Sequence, residues 1–216
     1  MTEYLLNRRH LLQAGAAALV VPTLSRVVRS ADPMGKLRTA HIGVGGMGRG
    51  DLGAVSSHPM VEVAALCDVD AGRLAEAKGK HAGAQTFRDY REMFDKLGDK
   101  FDAVVVSTPD HTHAPAAMTA LNAGKPVYCQ KPLTHEVFEA RQLRLVAEQK
   151  KLPTQMGIQV HSSAPYRRAV QMIQSGVIGK VSQVHAWSNK NWGYDGPAFK
   201  NTSSPPDSLS WDLWLG

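Results

Sequence analysis

The sequence predicts a doubly wound parallel α/β fold, and three observations favour it. Beyond residue 35, apolar runs typical of strands alternate with helical patterns. The strand-like runs are continuously apolar, as in a sheet covered by helices on both faces. A glycine-rich turn, GVGGMG at residues 43–48, leads from the first predicted strand into the first predicted helix. We expect residues 32–155 to form this domain and residues 156–216, with one helical and one alternating pattern, to begin a second, α+β domain.

Hydrophobic spacing assigns the elements in chain order. The predicted strands cover residues 37–44, 61–68, 101–108 and 126–130. The predicted helices cover residues 47–57, 71–82, 113–124, 135–151 and 161–176. Thr112 and Thr134 are the expected N-caps of the third and fourth helices. Residues 180–189 alternate polar and apolar side chains, which predicts a half-exposed antiparallel strand in the second domain.

Composition excludes several classes of protein. The 216 residues carry a net charge of +6, but the basic residues are scattered and no block alternates basic with aromatic residues. That pattern argues against a nucleic-acid partner. Cys67 and Cys129 end apolar runs and are expected to be buried free thiols. No apolar run reaches the ~18 residues of a membrane span, so we expect no membrane association after export.

The N-terminus is typical of an export signal. Arg8 and Arg9 precede the short apolar run AGAAALVV at residues 14–21. Paired arginines followed by such a run predict a twin-arginine signal within residues 1–31 and a periplasmic or otherwise exported protein. The alternative is a disordered N-terminal arm. The best cleavage site, VRSAD at residues 28–32, is poorly defined.

The glycine-rich turn predicts a dinucleotide site. Gly43, Gly45 and Gly48 form the G-x-G-x-x-G pattern, in which they allow a tight turn, a close approach to pyrophosphate and helix–strand packing. The phosphates would lie at the helix N-terminus. Asp68 follows Gly48 by twenty residues and ends the next strand, where a carboxylate binds the ribose hydroxyls. Asp68 therefore favours NAD, while nearby Arg73 leaves NADP open.

A lysine is the predicted catalytic residue. Lys131 ends the strand before Pro132 and reaches the same sheet edge as the glycine loop, where it could orient or deprotonate a substrate hydroxyl. The alternative is a surface lysine. His111 and His113 form an H-x-H pair without a third ligand, so we expect no metal; either could lie beside the nicotinamide. The predicted cofactor-binding residues are Gly43, Gly45, Gly46, Met47, Gly48, Asp68, Thr108, Pro109, His113, Gln130 and Lys131.

Five motifs in order give the chain a family resemblance. GVGGMG, CDVD (67–70), STPDHTH (107–113), ALNAGKPVYCQKPL (120–133) and SGVIGKV (175–181) resemble the family of glucose–fructose oxidoreductase, inositol dehydrogenase and MocA. The resemblance implies an N-terminal Rossmann domain, a C-terminal open antiparallel sheet and NAD or NADP as cofactor. It also implies hydride transfer at a sugar or polyol carbon, a small-molecule substrate, and a homo-oligomer formed through the open sheet.

The chain also departs from the family pattern. Lys131 matches the lysine of the family's E-K-P motif, but Gln130 replaces its glutamate. The segment GIQVHSS (157–163) lacks an arginine often found there. The family's Asp-x-x-x-His general base lies in the second domain, and we expect it beyond residue 216. We therefore expect these residues to hold nucleotide and to turn over slowly or not at all.

Export constrains the chemistry, because free NAD is not expected outside the cytoplasm. A tightly held cofactor would have to be regenerated on the enzyme, either by two coupled substrates or by a redox-neutral reaction. The main hypothesis is an NAD(P)-dependent oxidoreductase acting on a sugar or polyol. The alternatives are a redox-neutral NAD-dependent glycoside hydrolase and a non-catalytic nucleotide-binding fragment. The residues leave the substrate unnamed.

Overall fold

The computed structural model describes residues 35–190, 196–198 and 202–216, and the fold below is that of Lys36–Gly216. The predicted export signal and its boundary at residue 31 lie outside the described residues. None of the described helices is long and apolar enough to cross a membrane.

Six strands form one sheet in the order β3-β2-β1-β4-β5-β6, and every pairing is parallel. The strands are β1 Leu37–Ile42, β2 Val61–Cys67, β3 Gln85–Phe87, β4 Ala103–Val106, β5 Val127–Gln130 and β6 Thr154–Gly157. The chain winds outward on one side from β1 to β3 and then on the other from β4 to β6. Ligands of such sheets bind where the order reverses, at the carboxyl ends of β1 and β4. The predicted doubly wound parallel sheet is confirmed.

Helices connect the strands. They are α1 Met47–Ser56, α2 Ala71–Lys80, α3 Tyr90–Leu97, α4 His113–Asn122, α5 Val137–Lys150, α6 Gln159–Ser162, α7 Ala164–Gln174 and α8 Trp211–Leu215. The predicted helix over 161–176 is divided into α6 and α7. The division falls at Ser163, which is extended, and a proline in the first turn begins the next helix.

Apolar residues pack on both faces of the sheet. On one face, Ile42 and Val106 belong to a large cluster that includes the fully buried Met93 and Phe101. A smaller cluster around Leu66 and residues of α1 and α2 covers the other face. The continuous apolar runs of β1, β2 and β4 are explained by this double coverage, since both alternating sets of side chains are buried.

The two cysteines are buried free thiols, as expected. Cys67 ends β2 and Cys129 lies in β5. Burial raises the pKa of the Cys67 thiol far above its ordinary value and that of Cys129 to about 12. Both thiols are therefore protonated at neutral pH and act as small apolar residues of the sheet.

Three elements of the sheet domain escaped the sequence analysis. β3 and α3 occupy residues 85–97, and β6 follows α5. β3 has only three residues, and three of the four residues of β6 are exposed, so neither carries an apolar run. The sequence of α3, in contrast, contains features that predict a helix. Asp89 caps it through the Arg91 backbone N–H, and two of its apolar residues four positions apart are buried.

The expected N-cap is correct in position at one helix and wrong at the other. Thr112 does precede α4, but its hydroxyl donates to the Pro109 carbonyl instead of capping the helix. Thr134 is not the cap of α5. Glu136 is, with Glu139 in a reciprocal capping box. The helix begins two residues later than expected because this box satisfies its free N–H groups.

The strand predicted over residues 180–189 is wrong. These residues form no strand, and every one of them is exposed. A strand requires a neighbour to complete its hydrogen-bond ladder, and no strand among the described residues pairs with this segment. The division between residues 32–155 and 156–216 remains a prediction.

Candidate nucleotide-binding site

The glycine loop adopts the turn that its sequence predicts. Gly43 leaves β1 with φ of +84°, a conformation that favours glycine. A Cβ on Gly48 would collide with the Gly43 carbonyl oxygen and would lie 3.1 Å from the Ser107 Cβ. The first glycine therefore makes the turn and the third lets α1 pack against the strand exits, as predicted.

The N-terminus of α1 is free to receive an anion. Its N-cap, Gly46, offers no side-chain hydrogen bond, and the first turn contains no acidic residue. Gly46 and Met47 are both exposed at this end. Uncapped N–H groups and the positive end of the helix dipole favour a phosphate group. The residues present therefore fit the pyrophosphate of a dinucleotide.

Asp68 connects the glycine loop to the end of β2. Its Oδ2 accepts a hydrogen bond of 2.9 Å from the Val44 N–H, and its Oδ1 accepts one of 2.9 Å from the Asp70 N–H. The side chain is 7% exposed. Each carboxylate oxygen can still accept a further hydrogen bond, so the arrangement is compatible with the predicted contact to ribose.

Arg73 lies over the middle of the loop. A Cβ on Gly45 would collide with the Arg73 side chain, so the second glycine makes room for this arginine as well as for a ligand. Arg73 and Asp68 both line a cavity of about 210 Å³ at the carboxyl edge of the sheet. Gly43, Gly45, Thr108 and Pro109 line the same cavity. The structure thus gathers these four predicted cofactor-binding positions and Asp68 around one space.

His113 supports the site from beneath. It is 1% exposed, with Nδ1 2.6 Å from the Pro132 carbonyl oxygen and Nε2 2.8 Å from the Thr108 carbonyl oxygen. A neutral imidazole can donate to one of these carbonyls, and an imidazolium to both. The ring thus fastens the loop after β4 to the loop after β5. His111 turns elsewhere, with Nε2 2.7 Å from the Trp214 carbonyl oxygen.

Gln130 belongs to a buried polar network. Its Nε2 donates to both carboxylate oxygens of Asp51, at 2.8 and 3.1 Å, and its Oε1 accepts from the Lys131 N–H at 3.0 Å. Ser107 Oγ donates to Asp51 at 2.7 Å, and Gln159 Nε2 donates at 3.3 Å. Gln130 and Asp51 are 3% and 7% exposed. The network joins α1 to the end of β5 and holds the backbone at Lys131.

Lys131 itself is exposed at the carboxyl end of β5. It does not line the cavity beside the glycine loop, so the predicted lysine and the predicted ribose site lie at different parts of one edge. Sequence reasoning missed Asp51. Its signal was its spacing, because Asp51 lies three residues after Gly48 and therefore shares the helix face that packs on the sheet.

Comparison with known proteins agrees with this geometry. Residues 37–158 match the oxidoreductase family with an NAD-binding Rossmann fold. An inositol 2-dehydrogenase of Salmonella paratyphi B is 33% identical over 153 residues, covering 69% of this chain and 45% of that protein. An inositol 2-dehydrogenase of Corynebacterium glutamicum strain R is 30% identical over 149 residues, covering 67% of this chain and 43% of the relative.

Solved structures show the same relationship. Myo-inositol 2-dehydrogenase from Lactobacillus plantarum superposes with a TM-score of 0.63 and 29% identity, over 68% of this chain and 43% of that one. KijD10, a 3-ketoreductase from Actinomadura kijaniata in complex with NADP and TDP-benzene, has a TM-score of 0.60 and 27% identity, over 66% of this chain and 43% of its own. The chain spans less than half the length of these relatives. It belongs to the Gfo/Idh/MocA oxidoreductase family, whose Rossmann fold binds NAD.

Proposed function

We propose that this chain provides the cofactor-binding part of an NAD-dependent dehydrogenase that transfers hydride at a polyol or sugar carbon. One observation carries the proposal: the glycine loop, Asp68 and Lys131 all lie at the carboxyl edge of one parallel sheet. The inositol 2-dehydrogenases among its relatives support a polyol substrate.

Different residues would bind different parts of the cofactor. The N–H groups at the start of α1 would bind the pyrophosphate. Asp68 would accept hydrogen bonds from the adenosine ribose, and its charge would repel a 2′-phosphate. Arg73, beside it in the same cavity, supplies the opposing charge. We therefore expect NAD to bind more tightly than NADP, although NADP can still bind.

Lys131 is the proposed proton-handling residue. When bound, the nicotinamide ring exchanges a hydride with the substrate carbon. The Gln130 network holds the Lys131 backbone at the end of β5, and Lys131 Nζ would orient the hydroxyl on that carbon and, when uncharged, take up its proton. Gln130 places an amide where the family has a carboxylate, and Asp51 supplies a buried carboxylate one contact away.

The first experiment is mass spectrometry of nucleotide released from the denatured chain, followed by titration with NADH and NADPH. We expect NADH to bind more tightly than NADPH. We expect Asp68→Asn to reduce the ratio of the NADH affinity to the NADPH affinity about tenfold. Asp95→Asn, an exposed carboxylate on α3, is the matched control. Equal affinity for both cofactors in the wild-type chain, unchanged by Asp68→Asn, would overturn the assigned role of Asp68.

A second variant separates binding from chemistry. Lys131→Met should leave the NADH Kd within about twofold, because Lys131 lies outside the cavity beside the glycine loop. The same variant should abolish any oxidation of myo-inositol or a sugar that the chain supports. Undiminished turnover in Lys131→Met would reject the proposed role of the lysine.

We also propose that the protein is exported through the twin-arginine route with its cofactor bound. Arg8, Arg9 and the apolar run at residues 14–21 support this. Cell fractionation of the native protein and of Arg8→Lys/Arg9→Lys provides the test. We expect the native protein in the periplasmic fraction and the variant in the cytoplasm. Equal distribution of both proteins would contradict export by this route.

A further inference from the structure

Residues 206–216, here named the C-terminal strap, pack along the carboxyl edge of the sheet. The strap lies outside the stretch of residues 37–158 that matches the family. The Ala71 N–H donates to the Ser208 carbonyl at 2.9 Å, and the Ser210 N–H donates to the Val69 carbonyl at 2.9 Å. These bonds flank an antiparallel bridge between Asp70 and Leu209. The strap is therefore attached to the loop that follows β2.

An arginine secures this attachment. Arg88 Nη2 donates to the Val69 carbonyl at 2.7 Å and to the Ser208 carbonyl at 3.1 Å, so one guanidinium connects the loop after β2 to the strap. Ser208 Oγ adds a contact of 3.3 Å to the carboxylate of Asp70. Four hydrogen bonds thus fix the first half of the strap on the β2 side of the glycine loop.

The other half of the strap is fixed on the β4 side. The Trp214 carbonyl lies 2.7 Å from His111 Nε2, and the two rings meet edge to face at 5.0 Å. Trp211 stacks on Trp214 at 5.0 Å. Because β1 lies between β2 and β4 in the sheet, a segment held at both exits passes across the glycine loop.

The space beneath the strap is the cavity of about 210 Å³ already described. The strap contributes Pro206, Leu209, Leu213 and Trp214 to its lining, and Asp68 and Pro109 belong to the same lining. A carboxylate that binds the adenosine ribose places the adenine on the β2 side of the loop, which is this space. A lining with several apolar side chains and two prolines suits a flat base.

Two buried polar atoms also indicate a ligand here. Among the described residues, three buried side-chain polar atoms have no hydrogen-bond partner: Arg88 Nε, Thr108 Oγ1 and, within β1, His41 Nδ1. Arg88 and Thr108 line the cavity. Buried polar groups are rarely left unpaired, and a bound polar molecule is one ordinary reason for such a gap.

We infer that the C-terminal strap is the outer wall of the adenine slot, with Leu213 and Trp214 in contact with the base. The inference rests on the proposed binding of NAD and adds the residues that recognise its adenosine half. Recognition of adenine by this chain then depends on a segment about 140 residues from Asp68 in sequence.

The first test uses the 216-residue chain and two half-ligands, ADP-ribose and nicotinamide mononucleotide, measured by calorimetry. Leu213→Ser should weaken ADP-ribose binding about tenfold and leave nicotinamide mononucleotide binding within about twofold. Leu215→Ser is the matched control, since Leu215 lies on the same helix, is 53% exposed and does not line the cavity. It should change neither affinity by more than about twofold.

Fluorescence gives a second readout, which leaves Leu213 in place. A chain with Trp187, Trp192 and Trp211 replaced by Phe retains only Trp214, and we expect ADP-ribose to shift or quench its emission. A chain that retains only Trp187, which is 86% exposed, is the control and should not respond. If Leu213→Ser fails to fold, this comparison decides the inference alone.

Three results would overturn the inference. Equal ADP-ribose affinity in Leu213→Ser and Leu215→Ser would remove the strap from the site. Tighter binding by Leu213→Ser would show that the strap blocks the slot instead of walling it. Trp214 emission that ignores saturating ADP-ribose would exclude contact with the base. Absence of any ADP-ribose binding by the wild-type chain would instead reject nucleotide binding itself, and the strap's role with it.

Discussion

The two sides of the cofactor edge are built differently. On the β2 side, Asp68, Arg73 and the C-terminal strap surround a cavity. On the β5 side, the polar groups lie beneath the surface, since Gln130 is 3% exposed and His113 is 1% exposed, while Lys131 is exposed above them. The first side would recognise a ligand by enclosing it. The second uses its buried hydrogen bonds to hold the backbone at Lys131.

The largest expected effect comes from a substitution in the glycine loop, which lies between the two sides. Gly48→Val would place side-chain atoms against the Gly43 carbonyl and the Ser107 Cβ, between the exits of β1 and β4. Because the nearest of these atoms is backbone, the loop itself must move. We expect NADH affinity, measured by calorimetry, to fall at least about 100-fold, which is about 2.7 kcal/mol or more.

Gly50→Ala is the matched control for that variant. Gly50 lies on the same helix, and a Cβ added there would meet no atom within 4 Å. The substitution should keep wild-type NADH affinity and raise the free energy of unfolding by up to about 1 kcal/mol, since Ala favours a helix. A Gly48→Val chain with the NADH affinity of Gly50→Ala would refute the packing role of the third glycine.

The next effect tests the clamp on the β5 side. His113→Leu leaves the Thr108 and Pro132 carbonyls without their buried partner. We expect the free energy of unfolding, measured in urea, to fall by about 2–5 kcal/mol. His185→Gln, at an exposed histidine, should change it by less than about 0.5 kcal/mol. Equal stability of the two variants would show that the His113 bridge contributes little.

A smaller effect tests the network under Lys131. Gln130→Glu puts a second carboxylate within contact of Asp51, which replaces a donated hydrogen bond by repulsion. We expect a loss of about 1–3 kcal/mol in unfolding free energy at about pH 7. Asp51→Asn/Gln130→Glu should recover most of that loss, because the amide introduced on α1 could donate to the new carboxylate. Additive losses in the double variant would mean that the two residues are not coupled.

The smallest effect concerns pH and the strand beneath the glycine loop. Burial, reinforced by the charge of His81, lowers the pKa of His41 to about 3. In the unfolded chain the pKa of His41 is about 6.5, so below that pH the unfolded chain binds a proton at His41 that the folded chain does not bind. The stabilisation by neutral His41 is therefore complete above about pH 6.5 and is lost progressively as pH falls toward about 3.

Between about pH 7 and about pH 5.5 we expect His41 alone to cost about 1 kcal/mol of unfolding free energy. This window lies above the titration of the carboxylates. His41→Leu should flatten the pH dependence of urea unfolding by that amount, and His185→Gln should leave it unchanged. Parallel pH profiles for the wild type and His41→Leu would disprove a buried neutral histidine.

Local pattern predicted much of the fold. The four strands predicted for the parallel sheet are present, and so are the five predicted helices, the last of them divided in two, because continuous apolar runs and helical spacing report directly on burial. The misses have physical causes. β6 has an exposed edge with no apolar run, and the segment over 180–189 alternates correctly for a strand but lacks a partner strand. Alternation of polar and apolar residues predicts which side chains would lie on each face of a strand. The strand itself forms only where a neighbouring strand completes its hydrogen bonds.

The candidate site divides in the same way. Gly43, Gly48 and Asp68 were predictable because their roles depend on backbone geometry within one strand–turn–helix unit. The spacing of Asp51 places it on the helix face that packs on the sheet, but its partner Gln130 and the position of the strap depend on long-range contacts, which the sequence does not record. His113 was assigned to the cofactor, whereas the structure has both of its ring nitrogens on carbonyl groups; contact with the nicotinamide remains a prediction.

The sequence by itself determined the parallel sheet, the glycine turn at residues 43–48 and the carboxylate at the end of β2. These follow from period, spacing and the conformational freedom of glycine, which act over a few residues. Only the tertiary structure decided that Gln130 meets Asp51 across 79 positions and that residues of the C-terminal strap line the cavity beside Asp68. Contacts of that range depend on how layers pack, and no local pattern of residues records which side chain will face which.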